Sequence, residues 1–470
     1  MPETTPIPVE VSAHPLARLF DPGTVRARCA AITRAALDDV SPHFTIERSR
    51  LAAVADRVAA LTRRRFPDLR VPMHSRWRHF EAGGVDRKAG LDARLAGRPT
   101  AEVARAHFDL AVLSVLLDAG AGARWSYTEG PELGAAALPL QRHAGDELLA
   151  LLDEAAKRPA ASAAAAPPVT PADAASAAPA AVYRRSEGLG VASLRAFVAG
   201  VFSASASDPL RADAATLGLV DAAVLRDVFQ VTPANALVGL EGRAGLVSRL
   251  GEVLAAEAAR NGGEPRPGRL YDRLTAGGTR TAVSAAEVLV AVLSLLSPIF
   301  TSGSRVQGLP AGDVWPHRWA GAATASGADA TTAGWVPFHK LSQWLAYSLV
   351  EPLQWAGVQV TGLEALTGLP EYRNGGLLVD GGVIVPRDAR DLARSWKPAD
   401  EFVVEWRALT VTLLDELAER VRERLGRSAA ELPLACILEG GTWAAGRELA
   451  AELREDGSPP LKIDSDGTVF

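Results

Sequence analysis

Cysteine is nearly absent: Cys29 and Cys436 are the only two in 470 residues, far apart and with no CxxC partner. That argues against a disulfide framework and a Cys-ligated zinc, and it fits a reducing compartment. Long apolar runs are also missing, and no stretch reaches the roughly 18 residues a membrane-spanning helix needs. The opening "MPETTPIPVEVSAHPLARLF" puts acidic residues and prolines where a secretion signal needs a basic start and an apolar run. The expectation is a cytoplasmic protein that engages no membrane. Basic charge is not in excess. A formal net charge of −5, with no Lys/Arg-dense face, argues against a nucleic-acid partner and leaves room only for a local anion pocket. Several signatures are missing as well: no histidine pair at HExxH spacing, no Gly-x-Ser-x-Gly around Ser186, and a "GAGARW" that follows a helix-like run rather than a strand. Neither a metal nor a cofactor is therefore expected.

What is present is helical period. With 48% hydrophobic residues the chain can bury a large core. "TVRARCAAITRAALDDV", "RSRLAAVADRVAALTRR", "TAEVARAHFDLAVLSVLLDAG", "AAEVLVAVLSLLSPIF" and "WRALTVTLLDELAERVRERLG" repeat apolar residues at three-to-four spacing. Strand-like alternation is rare, and no fixed-period repeat points to a solenoid. The sequence predicts a hairpin in "GGLLVDGGVIVP", turning at "DGG", and a short strand in the closing "PPLKIDSDGTVF". Residues 155–181 are Ala/Pro-rich, with almost no large apolar side chains and prolines that block a long helix, so a flexible insertion is expected there.

Polar residues concentrate in a few places. "VPFHKLSQW" sets His339, Lys340 and Gln343 among apolar residues, and "LPEYRNGG" does the same for Glu371, Tyr372, Arg373 and Asn374. A core hides such groups only when they find partners, either each other or a ligand. "PMHSRWRHFEAGGVDR", "LLDAGAGARWSYTEG" with Asp118, Trp125 and Tyr127, and "RRSEGLGVASLRAF" with Glu187 form further clusters. The plain reading of each is structural: a buried Lys340–Glu371 salt bridge, a helix cap at Asp118, a gap filled by Trp125, and scattered histidines at positions 74, 79, 317 and 339.

The long motifs "SRWRHFEAGGVDR", "VLLDAGAGARWSY", "RSEGLGVASL", "LVGLEGR", "GDVWPH", "VPFHKLSQWLAYSLVEPL", "TGLPEYRNGGLLVD" and "DSDGTVF" resemble the Urc/Urg uracil-catabolism family of fungi and bacteria over nearly the whole chain. The resemblance implies one unit spanning 1–470, with the insertion inside it. It also implies a pathway that opens the ring of a uracil nucleotide and ends in urea release, with a ribosylurea as intermediate. The order of motifs is similar, more distantly, to the queuosine-salvage N-glycosidases, whose mainly helical fold is DNA-glycosylase-like. There an aromatic-Lys segment precedes an "ADYR" with a catalytic aspartate. "FHKLSQ" and "PEYR" match these, with Glu371 in place of that aspartate.

The implied activity is hydrolysis of ribosylurea, or its 5-phosphate, to urea and the sugar. Glu371 and Lys340 are then catalytic. Arg373, Tyr372, Asn374, His339, Gln343, Asp118, Trp125, Tyr127 and Glu187 are substrate-binding. A longer carboxylate leaves nucleophile and general base both open for Glu371. Two further classes stay open: an amidohydrolase acting on the ureido carbonyl through His74, His79 or His339, and a non-catalytic scaffold for other enzymes.

Overall fold

The computed structural model describes residues 16–118, 120–122, 124–130, 181–300, 304–321 and 328–464. The chain is mainly helical, as its periodicity predicts. Ten helices frame the site: α1 (Pro22–Leu37), α2 (Leu51–Arg65), α3 (Thr100–Leu116), α4 (Arg185–Val198), α5 (Leu240–Asn261), α6 (Ala285–Leu296), α7 (Lys340–Trp355), α8 (Tyr372–Asp380), α9 (Glu401–Leu425) and α10 (Trp443–Leu453). Among the described residues, no helix is long and apolar enough to cross a membrane.

Helix α7 is buried along almost its whole length, from Lys340 to Leu353, because α3 and α6 both pack on it. Its all-round burial follows from a sequence that is apolar on every face apart from a few polar side chains. Helix α9 lies between α1 and α2, and α8 packs on α10. One continuous core joins these elements, and a smaller cluster of Val25, Cys29, Ile32, Trp315, Val336, Phe338, Val404, Ala408 and Val411 seals the side near α1 and α9. Both cysteines are buried free thiols, and burial raises both pKa values, that of Cys436 to about 12.

The strands are short and form six separate two-stranded pairs among the described residues. The predicted C-terminal strand is present as Lys462–Ile463, parallel to Ser395–Trp396. The predicted hairpin at "GGLLVDGGVIVP" is corrected. Its first half is the C-terminal part of α8, and only Ile384–Pro386 is a strand, paired antiparallel with Phe44–Ile46. The reason is tertiary. A Cβ on Gly375, which opens the segment, would lie 2.3 Å from the Trp406 ring, and one on Gly381 of the expected turn 2.6 Å from Val54, so these glycines are where α8 meets α9 and α2 at close range. A true hairpin occurs elsewhere, between Ser304–Val306 and Leu309–Gly312. The insertion expected at 155–181 lies outside the described residues except Ala181, which opens the strand Ala181–Arg184 paired with Ser126–Glu129.

Candidate functional site

Arg407, fully buried on α9, organises the two segments that carry the site. Its guanidinium binds Asp313 in a bidentate pair, with both N···O distances 2.7 Å, and donates through Nε to the Pro370 carbonyl at 3.1 Å. It also lies 4.2 Å from the Phe338 ring centroid. One side chain thus holds the approach to α7 and the residue before Glu371. Asp313 passes the restraint on. Its carboxylate accepts from the Lys340 backbone N–H at 3.0 Å and from the Trp315 indole at 2.7 Å. Burial alone would raise the Asp313 pKa, but the Arg407 charge and these hydrogen bonds hold it below the usual carboxylate value. His339, at φ 50°, turns the chain so that Lys340 opens the helix.

Glu371 is the N-cap of α8. Its two oxygens accept from the backbone N–H groups of Asn374 (2.6 Å) and Arg373 (2.9 Å), which satisfies donors the helix leaves open and fixes the carboxylate. Lys340 and Glu371 both line one cavity, together with His74, His79, Asp118, Gly120, Ser186, Trp344, Leu369, Tyr372 and Trp443. The salt bridge expected as the plain reading does not form. The Lys340 amine has no hydrogen-bond partner among the described residues, and its Nζ lies 5.9 Å from the Trp344 ring centroid. Burial lowers its pKa below 10.5, partly offset by the charges of Glu371 and Asp118.

The other walls are braced from behind. Asp118 pairs with the fully buried Arg76 and accepts from the Ser186 hydroxyl at 3.1 Å. Arg76 also donates to the Ser114 hydroxyl at 2.6 Å. His74 shares a hydrogen bond of 2.9 Å with Glu439, which holds that carboxyl below its usual pKa against the opposing effect of burial. His79 stands edge-on to Trp344, its ring centroid 5.6 Å away, and its Nδ1 is buried without a partner. Burial, reinforced by the Arg76 charge, drives its pKa well below 6.5, so the imidazole is neutral at pH 7. Among the described residues, no group of three or more His, Cys, Asp or Glu is placed to hold a metal ion.

Of the residues singled out from the sequence, Glu371, Lys340, Tyr372 and Asp118 meet in this cavity. Arg373 and Glu187 line a wider outer cleft that shares His74, His79 and Trp443 with it. The structure places the rest elsewhere. Asn374 binds the Leu369 carbonyl and the Thr442 hydroxyl. His339 binds the Leu19 carbonyl at 2.9 Å. Gln343 reaches the Thr367 N–H, and Trp125 donates to the Phe229 carbonyl. Tyr127 is buried on a strand outside the cavity lining. Sequence reasoning did not single out Trp344, Trp443 and Ser186 for the site, and it gave His74 and His79 a part only in the amidohydrolase alternative, otherwise reading them as scattered histidines. Trp344 closes the "FHKLSQW" motif and Trp443 sits in "GGTWAAG", the aromatic-beside-glycine signal that marks a close approach.

The family model described as "Protein of unknown function (DUF1688)" matches residues 18–145 and 173–470. Protein urg3 of Schizosaccharomyces pombe is 34% identical over 468 residues, covering 98% of this chain and 100% of the yeast protein. Uracil catabolism protein 4 of Lachancea kluyveri is 35% identical over 460 residues, covering 92% and 93% of the two chains. With a family model over most of its length and relatives above 30% identity end to end, the chain belongs to the DUF1688 family, the Urc/Urg family whose motifs its sequence carries.

Proposed function

We propose that the protein acts in uracil catabolism as an N-glycosidase, hydrolysing a ribosylurea or its 5-phosphate to urea and ribose or ribose 5-phosphate. The observation that carries this reading is one cavity holding an oriented carboxylate, Glu371, and a buried amine, Lys340, that are not consumed by each other. The name of the Lachancea relative supports the pathway, and the "FHKLSQ" and "PEYR" segments support the bond that is cut.

The reaction has two demands. Departure of urea leaves positive charge on the anomeric carbon, and urea leaves poorly unless its nitrogen gains a proton. Glu371, held by two backbone N–H groups, stabilises that charge or takes a proton from the attacking water. Water oxygen bonds the anomeric carbon, the carbon–nitrogen bond breaks, and its electron pair goes to the urea nitrogen. Lys340, with its lowered pKa, supplies the proton there. Tyr372, Trp344 and Trp443 provide flat walls against the sugar and the ureido group.

A second reading draws on His74 and His79, which also line the cavity: an amidohydrolase that attacks the ureido carbonyl. Product identity separates the two. Incubation with ribosylurea and with its 5-phosphate, followed by mass analysis, should give urea and the sugar. Release of ammonia from the ureido group would favour the amidohydrolase, and no turnover of either compound would leave the scaffold reading.

A further inference from the structure

The outer cleft, open to solvent, carries Arg64, Arg65, Arg78, Arg184, Arg185, Arg373 and Arg447 on its walls. Four of these are matched by carboxylates: Arg64 by Glu448, Arg65 by Glu439, Arg78 by Glu351 and Arg447 by Glu187, the last at 3.2 Å. Arg185 and Arg373 have no carboxylate partner among the described residues. Arg373 is buried, and its guanidinium donates to a single carbonyl, that of Gly457, at 3.2 Å. Its other donors are not among the buried unpartnered atoms, so they face the cleft, where an anion can reach them.

Arg185, Arg373 and Arg447 share a second property. Each stands beside a wall residue of the inner cavity: Arg185 next to Ser186, Arg373 next to Tyr372, and Arg447 one helical turn beyond Trp443. The guanidinium of Arg373 lies 5.5 Å from the Tyr372 ring centroid and that of Arg447 lies 5.0 Å from the Trp443 ring centroid, so both are seated on the aromatic walls at the mouth. Gly446 brings the two together, since a Cβ there would lie 2.3 Å from the Arg373 carbonyl oxygen and α10 therefore docks on the Arg373 backbone. Arg185 is held at φ 54°, a conformation a non-glycine residue keeps only where its surroundings impose it. The charges of Arg185 and Arg447 both reach Arg373: burial lowers its pKa most, and these two charges lower it further against the opposing effects of Tyr372 and Glu371.

We propose that Arg185, Arg373 and Arg447 form a phosphate-monoester subsite at the mouth of the cavity, so that the natural substrate carries a 5-phosphate. The inference rests on the reading of the inner cavity as a ribosyl site. A phosphate monoester brings about −1.5 to −2 charges and three acceptor oxygens, which three guanidinium forks from three different elements match better than they match a single carboxylate. The sugar then enters with its anomeric carbon toward Glu371 and its 5-position toward the arginines.

Calorimetric titration of the full-length protein with ribose 5-phosphate, inorganic phosphate, acetate and ribose tests the subsite. Ribose 5-phosphate should bind at least roughly tenfold more tightly than ribose, and R185Q and R373Q should each lose about 10–100-fold for the phosphate with ribose unaffected. Equal affinity for ribose and ribose 5-phosphate would overturn the proposal, as would acetate competing as well as phosphate. R373Q removes a buried group, so R185Q, with its melting temperature checked, decides the case if R373Q does not fold. Wild-type affinity in a folded R185Q would equally overturn it. The mass assay separates this from the reaction. Arginine-dependent phosphate binding with no urea from either compound refutes the hydrolysis and keeps the subsite. Equal kcat/KM for both compounds, with binding indifferent to the arginines, refutes the subsite and keeps the hydrolysis.

Discussion

Lys340 and Glu371 open into one cavity without closing an ion pair, although Glu371 is the carboxylate that acts most strongly on the Lys340 charge. A closed pair would be a finished structural feature, whereas two separated charges facing free space leave both able to act on a ligand. Lys340→Met keeps the stem and removes the amine. Urea release should fall by about 10²–10⁴-fold if the amine donates a proton. Stability should not fall with it. The folded-state pKa lies below 10.5, so between the two values the unfolded chain binds the proton and the folded chain does not. Wild-type stability therefore rises with pH as the solution approaches 10.5, and the variant should lose that rise. Melting curves at several pH values, with turnover on the same samples, check both parts.

Arg407 is expected to behave oppositely. It closes a bidentate pair with Asp313 and holds the Pro370 carbonyl, with no part of it lining the cavity. Arg407→Met leaves the Asp313 carboxylate buried without its cation, at a cost of about 3–5 kcal/mol. Denaturant unfolding should read that loss. Adding Asp313→Asn in the same chain should recover part of it, because the stranded charge is gone.

His79 predicts a pH response on the acid side. Its folded-state pKa lies well below 6.5, chiefly through burial. As pH falls below 6.5 the unfolded chain takes up a proton that the folded chain refuses, so stability falls with it. His79→Gln should flatten this decline below pH 6.5 while leaving the melting temperature at pH 8 less affected. A wild-type slope retained in the variant would assign the acid sensitivity to other groups.

The fold was legible where a pattern is local. The helices at Leu51–Arg65, Thr100–Leu116, Ala285–Leu296 and Glu401–Leu425 all follow segments whose apolar spacing is helical. It was illegible where the partner is distant. "GGLLVDGGVIVP" reads as a hairpin because glycines at turn spacing separate two apolar runs, yet its strand pairs with Phe44–Ile46, some 340 residues earlier, and Gly375 answers to Trp406. The site divides in the same way. Resemblance of the motifs brought out Lys340, Glu371, Tyr372 and Asp118. Nothing in the spacing tells that Asn374, one turn from Glu371, turns toward Thr442, or that Trp344 and Trp443 from separate helices wall one space. A helix face is visible in sequence, but which faces meet around an empty volume depends on packing between elements.

The sharpest test is at Glu371, where two roles can be pulled apart. Its carboxylate faces the cavity and at the same time caps α8 through the backbone N–H groups of Arg373 and Asn374. Glu371→Gln keeps the length and one accepting oxygen, so part of the cap survives, and the stability loss should stay near 1 kcal/mol, as for a weakened N-cap. Chemistry should respond far more. The amide carries no negative charge to oppose that on the anomeric carbon and no basic oxygen to take a proton from water. Urea release should drop by at least about 10²-fold. Binding of ribose 5-phosphate should persist, because the lost interaction belongs mainly to the transition state. Glu371→Ala serves as the contrast: it removes cap and carboxylate together, so stability and turnover should fall in step. If Glu371 were a cap alone, Gln would melt slightly lower and release urea at the parent rate, and that result would remove it from the chemistry.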